Sequence, residues 1–195
     1  MTDAAGCVVV PLLLTPAYHS KTDIPAQIAS AHPALDVRYA DTLGPHPLLL
    51  AALSRRLAEA GLADEARVRS TTSVVLAAAG SSDHAANATI AALAARWQRD
   101  GGWRAVVPAY ASAAGPSPAE AVRALRQAGG PVVVATYLLA PGHFADKIRR
   151  EATEAGAHVV SDALGAAPEV ADVILERYAA AARAAAGVVA KAQLS

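Results

Sequence analysis

The chain contains one of its own segments twice. CVVVPLLLTPAYHSKTDIP, from Cys7 to Pro25, is echoed by PVVVATYLLAPGHFADKI, from Pro131 to Ile148. Val8, Val9, Val10, Leu14, His19 and Ile24 match Val132, Val133, Val134, Leu138, His143 and Ile148 at an offset of 124. After a three-residue deletion, Asp41, Leu43, Gly44 and Pro47 match Asp162, Leu164, Gly165 and Pro168 at an offset of 121. Ten identities in one order, histidine, glycine and proline among them, exceed what an alanine-rich composition produces. The period is too long for a solenoid, so the duplication is of a larger unit.

Local patterns say what that unit is. Val8 to Leu14, Val74 to Ala78, Ala105 to Pro108 and Val132 to Leu139 are short apolar runs bounded by turn residues, as buried parallel strands are. Weaker strands, Asp36 to Tyr39 and His158 to Val160, precede the two Asp-x-Leu-Gly turns. Helical stretches fall between: Ile24 to Ala31, Pro47 to Ala60, Ala85 to Gln98, Pro118 to Ala128, Phe144 to Ala155 and Pro168 to Ala185. Leu48, Leu49, Ala52, Leu53 and Leu57 recur at helical spacing. This alternation requires right-handed crossovers and helices on both faces of parallel sheets, so the fold class is α/β. Gly61 to Thr72 is polar, lacks periodicity and marks a boundary. Four strands and four helices are predicted after it, but only two of each before it.

Composition narrows the function. Lys+Arg and Asp+Glu are both 17, with no basic or acidic run, which argues against a nucleic-acid partner. Cys7 is the only cysteine, so no intramolecular disulfide can form and the expected location is cytoplasmic. The apolar stretch from Cys7 to Leu14 has no basic leader and is too short for a membrane span. A phosphate-loop motif, a G-x-G-x-x-G turn and a cysteine cluster are all missing, which disfavours nucleotide-driven chemistry.

The segments VVVPLLLTPAYHSKTDIP, LAAAGSSDHAAN, VPAYASAAGPSPAEAVRAL and TYLLAPGHFADKI together resemble the sirohydrochlorin chelatase and cobaltochelatase family, in its long, internally duplicated bacterial form. The resemblance covers nearly the whole chain. It implies two flavodoxin-like modules of parallel sheets flanked by helices: a partial one over 1–64 and a complete one over 72–186. It also implies a lyase activity, the ATP-independent insertion of Co²⁺ or Fe²⁺, with Ni²⁺ a further option, into the tetrapyrrole sirohydrochlorin. Cobalamin and sirohaem biosynthesis are the pathways it points to. The family's first metal-binding histidine lies in a His-Gly-Ser turn that nothing before Val8 supplies. Three expectations follow: the gene begins upstream, another chain provides the strand, or the activity is lost or redirected, leaving a tetrapyrrole- or metal-binding protein or an enzyme of altered chemistry. The unpaired edge also predicts a homo-oligomer.

Metal insertion needs groups that hold a divalent ion loosely and accept two pyrrole protons. Imidazole does both near neutral pH. His19 lies past the C-terminal end of a predicted strand, where open α/β sheets bind ligands, and matches the second histidine of the family's pair. It is assigned as metal ligand and proton acceptor; a capping role is the structural alternative. His143 is its repeat partner, although Ala79-Gly80-Ser81 stands where His-Gly-Ser would be. Gly80, Ser81 and Ser82 open a helix and could hold a substrate carboxylate on backbone N–H groups, or simply cap the helix through Ser82 or Asp83. Ser112 replaces a glutamate of active halves and can act neither as base nor as anionic ligand. Lys21 and Lys147, with Arg149 and Arg150, would place cations beside the cleft for carboxylates, or form a solvated face. Asp41 and Asp162 read chiefly as turn formers. His46 and His84 read as solvated loop residues, and His32 and His158 as surface or strand-edge residues.

Overall fold

Two six-residue strands fix where the interior lies. Every side chain of β3 (Ser73–Ala78) and β5 (Val132–Tyr137) is buried in the computed structural model, which describes residues 7–16, 24–31 and 37–192. Val74, Leu76 and Ala78 join Val133, Ala135 and Tyr137 in one apolar cluster. Val75 and Ala77 join Val132 and Val134 in a second, on the opposite face. A strand covered on both faces has no polar side to present, which is why these segments read as nearly continuous apolar runs, with Ser73 and Thr136 their only polar residues. With β4 (Ala105–Tyr110) and β6 (Val159–Val160) they form one parallel sheet in the order β4-β3-β5-β6.

The second face is covered by α5 (Pro118–Gln127) and α6 (His143–Glu154), through Ala121, Val122, Ile148 and Ala152. The first is covered by α2 (Pro47–Glu59), α4 (His84–Gly101) and α7 (Pro168–Ala192). α2 starts where Pro47 can occupy the first turn without wasting an N–H. It buries Leu49, Leu53 and Leu57 almost completely, each contributing about 2 kcal/mol. It stops at Gly61, whose φ of +100° lets Gly61 and Leu62 donate back to the Ala58 and Leu57 carbonyls.

β1 (Cys7–Val9) and β2 (Val37–Tyr39) form a separate parallel pair packed against α7, and α1 (Ile24–Ala31) lies between them in sequence. Two expectations need correction. The first strand ends at Val9 and does not run to Leu14, because Pro11 has no N–H to continue a ladder and the Leu13 N–H turns back to the Pro11 carbonyl. The supposedly aperiodic boundary segment holds a short helix, α3 (Ala66–Thr71), with no buried side chain.

The repeats meet across α2 and α7, which pack on each other. Arg56 donates from Nε and Nη2 to the Leu164 carbonyl at 3.0 and 2.6 Å. Arg177 donates from Nη2 to the Leu43 carbonyl at 3.3 Å. Positions 56 and 177, like 43 and 164, are related by the offset of 121, so each repeat's helix grips the other's Asp-x-Leu-Gly turn. Arg55 and Glu176 share that relation with reversed charge. Arg55 pairs with Glu169 at 2.5 Å, and Glu176 with His46 at 3.0 Å.

The repeats are not identical in register. Val9 pairs with Tyr39, which the offsets map onto Val133 and Val160, but Val160 pairs with Val134. Likewise the Leu43 N–H donates to Leu13, whereas the Leu164 N–H donates to Leu138, the sequence partner of Leu14. A one-residue slip turns side chains to the other face. Its origin is local: Pro11 stands where β5 has Ala135, which continues the ladder.

Candidate functional site

Along the sheet, β3 connects one way to β4 and the other way to β5, so its strand order reverses between β3 and β5. Open α/β sheets hold ligands beyond the carboxyl ends of the strands at such a point. A cavity of about 200 Å³ lies there. Its walls come from Leu12–Thr15 after β1, from Ala79, Gly80 and Ser81 after β3, and from Tyr137, Leu138 and Leu139 at the end of β5. Both repeats and the β3–α4 turn therefore meet in one place.

Close contacts fix this floor. Tyr137, 2% exposed, donates its hydroxyl to the Leu14 carbonyl at 3.2 Å, and burial pushes its phenol well above the usual range. Gly44 packs so tightly that a Cβ there would stand 2.1 Å from the Leu14 oxygen and 2.5 Å from the Tyr137 hydroxyl. Gly80 has φ +86°, and a Cβ would stand 2.0 Å from the Ser112 carbonyl oxygen. Ser112 in turn donates from its N–H and its hydroxyl to the Ala79 carbonyl, at 2.9 and 3.1 Å.

The turn after Gly80 is largely committed to itself. Asn87 accepts from the Ser81 N–H at 3.1 Å and donates to the Ser81 carbonyl at 2.7 Å. The Asp83 N–H donates to Ser81 Oγ, and Asp83 caps α4 by accepting from the Ala85 N–H at 2.8 Å. Of the two capping residues considered from sequence, Asp83 is the cap and Ser82 is exposed. Asn87 was not singled out from sequence; Asn three residues into a helix after a Gly-Ser turn is the signal that could have found it.

His143 is the first residue of α6, exposed, with its ring centroid 5.7 Å from that of Phe144. It lines a groove of about 230 Å³ that shares Leu138 and Leu139 with the cavity. His19 and Lys21 lie outside the described residues, as does His32; Thr15 on the cavity wall and Pro16 are the last described residues before His19. Lys147 donates to the Ala111 carbonyl at 2.6 Å, with Glu151 at 3.7 Å. Arg149 donates to the Asp162 carboxylate at 2.6 Å. Asp41 and Asp162 are both exposed. Their turns are held by backbone N–H groups of Leu43, Gly44, Leu164 and Gly165 donating to Leu13, Leu138 and Leu139.

The remaining histidines serve the framework. His46 is half-buried, caps α2 by accepting from the Leu48 N–H at 3.2 Å and contacts Glu176, so it is not a solvated loop residue. His158 accepts from the Val132 N–H through Nδ1, and His84 is exposed at the start of α4. Among the described residues no three His, Cys, Asp or Glu side chains converge as a metal site. Among them also, no helix is long and apolar enough to cross a membrane.

The CbiX family model matches residues 2–60 and 73–181, leaving out only the connector and the ends. This chain belongs to the CbiX family. It is 30% identical over 182 residues to a sirohydrochlorin ferrochelatase from Bacillus subtilis, covering 89% of this chain and 68% of that protein. It is similar to the structure of SirB from Bacillus subtilis with Fe³⁺, with a TM-score of 0.80 and 30% identity over 94% of this chain and 74% of the other. The cobalt complex of the sirohydrochlorin chelatase SirB from Bacillus subtilis subspecies spizizenii gives a TM-score of 0.72 and 26% identity, covering 94% of this chain and 72% of that one. The α/β class with parallel sheets and flanking helices, read from the alternating pattern, is thus the CbiX fold.

Proposed function

We propose that this CbiX-family chain inserts a divalent metal, Co²⁺ or Fe²⁺, into sirohydrochlorin without a nucleotide. One observation carries the reading: Thr15 and Leu139, partners at the offset of 124, both line the cavity at the strand-order reversal, and each precedes a histidine by four residues. The repeat thereby brings matching positions of its two copies to one cleft, and relatives in the family are named for this reaction.

In this reading His19 and His143 hold the incoming ion and take the two protons that leave the pyrrole nitrogens as the metal enters. The Gly80, Ser81 and Ser82 turn and Lys21 contact substrate carboxylates. Lys147 has three donors and joins them with those left over from Ala111. The segments 1–64 and 72–186 are read as one module used twice, the first in part. A cytoplasmic location and self-association belong to the same reading.

A second reading is favoured by Ala79. Its methyl group lines the cavity where the family resemblance implies a histidine, which suits a carrier that binds tetrapyrrole or metal without turnover. Anaerobic absorption spectroscopy with sirohydrochlorin and excess Co²⁺ separates the two. Catalysis gives many equivalents of cobalt product, slowed at least tenfold in His19→Ala and in His143→Ala, the scale of a lost acid-base group. A rate equal to the protein-free control refutes catalysis, and saturation near one equivalent per chain supports the carrier.

A further inference from the structure

The chain has a single phenylalanine, and it is not in the core. Phe144 is 40% exposed, at the carboxyl end of the sheet, beside His143. Isolated apolar side chains at a surface need no explanation. Here, however, a second one faces the same cleft from the other repeat: Leu12, 58% exposed, on the cavity wall. The groove against Phe144 is lined by Leu138, Leu139, Pro141 and His143, and it runs into the cavity through the two leucines they share. An apolar strip therefore extends from Leu12 through Leu138 and Leu139 to Phe144, in a protein whose aromatic content is only 4%.

From this we infer that Phe144 is a specificity-determining residue that packs on one face of a flat, conjugated macrocycle and holds it beside the His143 imidazole. The inference rests on the function proposed above. A tetrapyrrole presents two apolar π faces and a charged rim, and the matching site is an apolar wall with polar groups at its edge. Phe144 and the leucines supply the wall, and the Ser81 turn lies at its edge.

The test is an anaerobic titration of sirohydrochlorin, without metal, into the full chain. Wild type, Phe144→Ala, Phe144→Trp and Tyr178→Ala are compared, the last removing an aromatic ring that is 51% exposed on α7. Phe144→Ala is expected to bind about tenfold more weakly, the scale of losing one aromatic face. Phe144→Trp should recover most of the affinity, and Tyr178→Ala should match wild type. Affinity for Co²⁺ alone, measured by calorimetry, should be equal in wild type and Phe144→Ala. Equal sirohydrochlorin affinity in wild type and Phe144→Ala, or a loss that Trp does not recover, overturns the role of Phe144 and leaves the proposed function standing. Failure of wild type to bind sirohydrochlorin refutes both.

Discussion

Replacing Tyr137 with Phe removes one oxygen from the floor of the cavity and keeps the shape of the ring. At neutral pH the loss is the hydrogen bond to the Leu14 carbonyl, about 1 kcal/mol in stability. The larger signature is alkaline. Burial raises the folded-state pKa of Tyr137 well above the ordinary value of 10.0, so above pH 10 the unfolded chain gives up a proton that the folded chain keeps. The unfolded state then binds fewer protons, and stability falls with rising pH, by about 1.4 kcal/mol per unit until the folded value is reached. The contribution is complete below pH 10 and is lost above it. Urea unfolding of both proteins at pH 7, 9 and 11 reads this directly. Wild type should lose about 1.4 kcal/mol more than Tyr137→Phe between pH 9 and 11. Tyr39 and Tyr110, whose phenols burial also raises, are present in both proteins and cancel. Parallel pH dependence in the two proteins would refute the reasoning.

Gly80→Ala should cost about 2 kcal/mol or more, from a positive φ and the collision with the Ser112 carbonyl; an unchanged urea midpoint contradicts the packing described. Arg56→Ala and Arg177→Ala should each cost about 1.5 kcal/mol or more, because each removes a charged donor from a carbonyl. Their carbonyls lie in different turns with no shared partner, so the double variant should be additive to within about 0.5 kcal/mol; larger coupling would show that the two grips act as one.

Much of the central sheet is readable from sequence because strands buried on both faces leave a nearly continuous apolar run, as in Val132 to Ala135. The early end of β1 was readable in principle, since Pro11 interrupts the run, but the apolar residues after it hide the break. α3 carries no apolar periodicity and buries nothing, so composition alone cannot announce it. At the site, the repeat pointed to the end of β5 that leads into His143 and to the matching segment Leu12–Thr15 on the cavity wall. It could not reveal that Lys147 reaches Ala111, because that contact joins positions far apart in sequence that only the folded chain brings together. Arg56 and Arg177 were available at the same 121-residue offset as Leu43 and Leu164. Nothing in the sequence sets them apart, because surface arginines on helices ordinarily need no partner.

The reciprocal grip of the two arginines bears on what joins α2 to the chain that follows it. Each half finds its place by contacts that recur when the halves are exchanged, and Leu62 is already tied to the end of α2. Residues 63–65, all exposed, therefore act as a tether and not as a jig. Doubling the length of such a loop costs only about 0.6 kcal/mol. Insertions there should be tolerated, whereas the spacing between Leu43 and Arg56, or between Leu164 and Arg177, sets the geometry and has no such freedom.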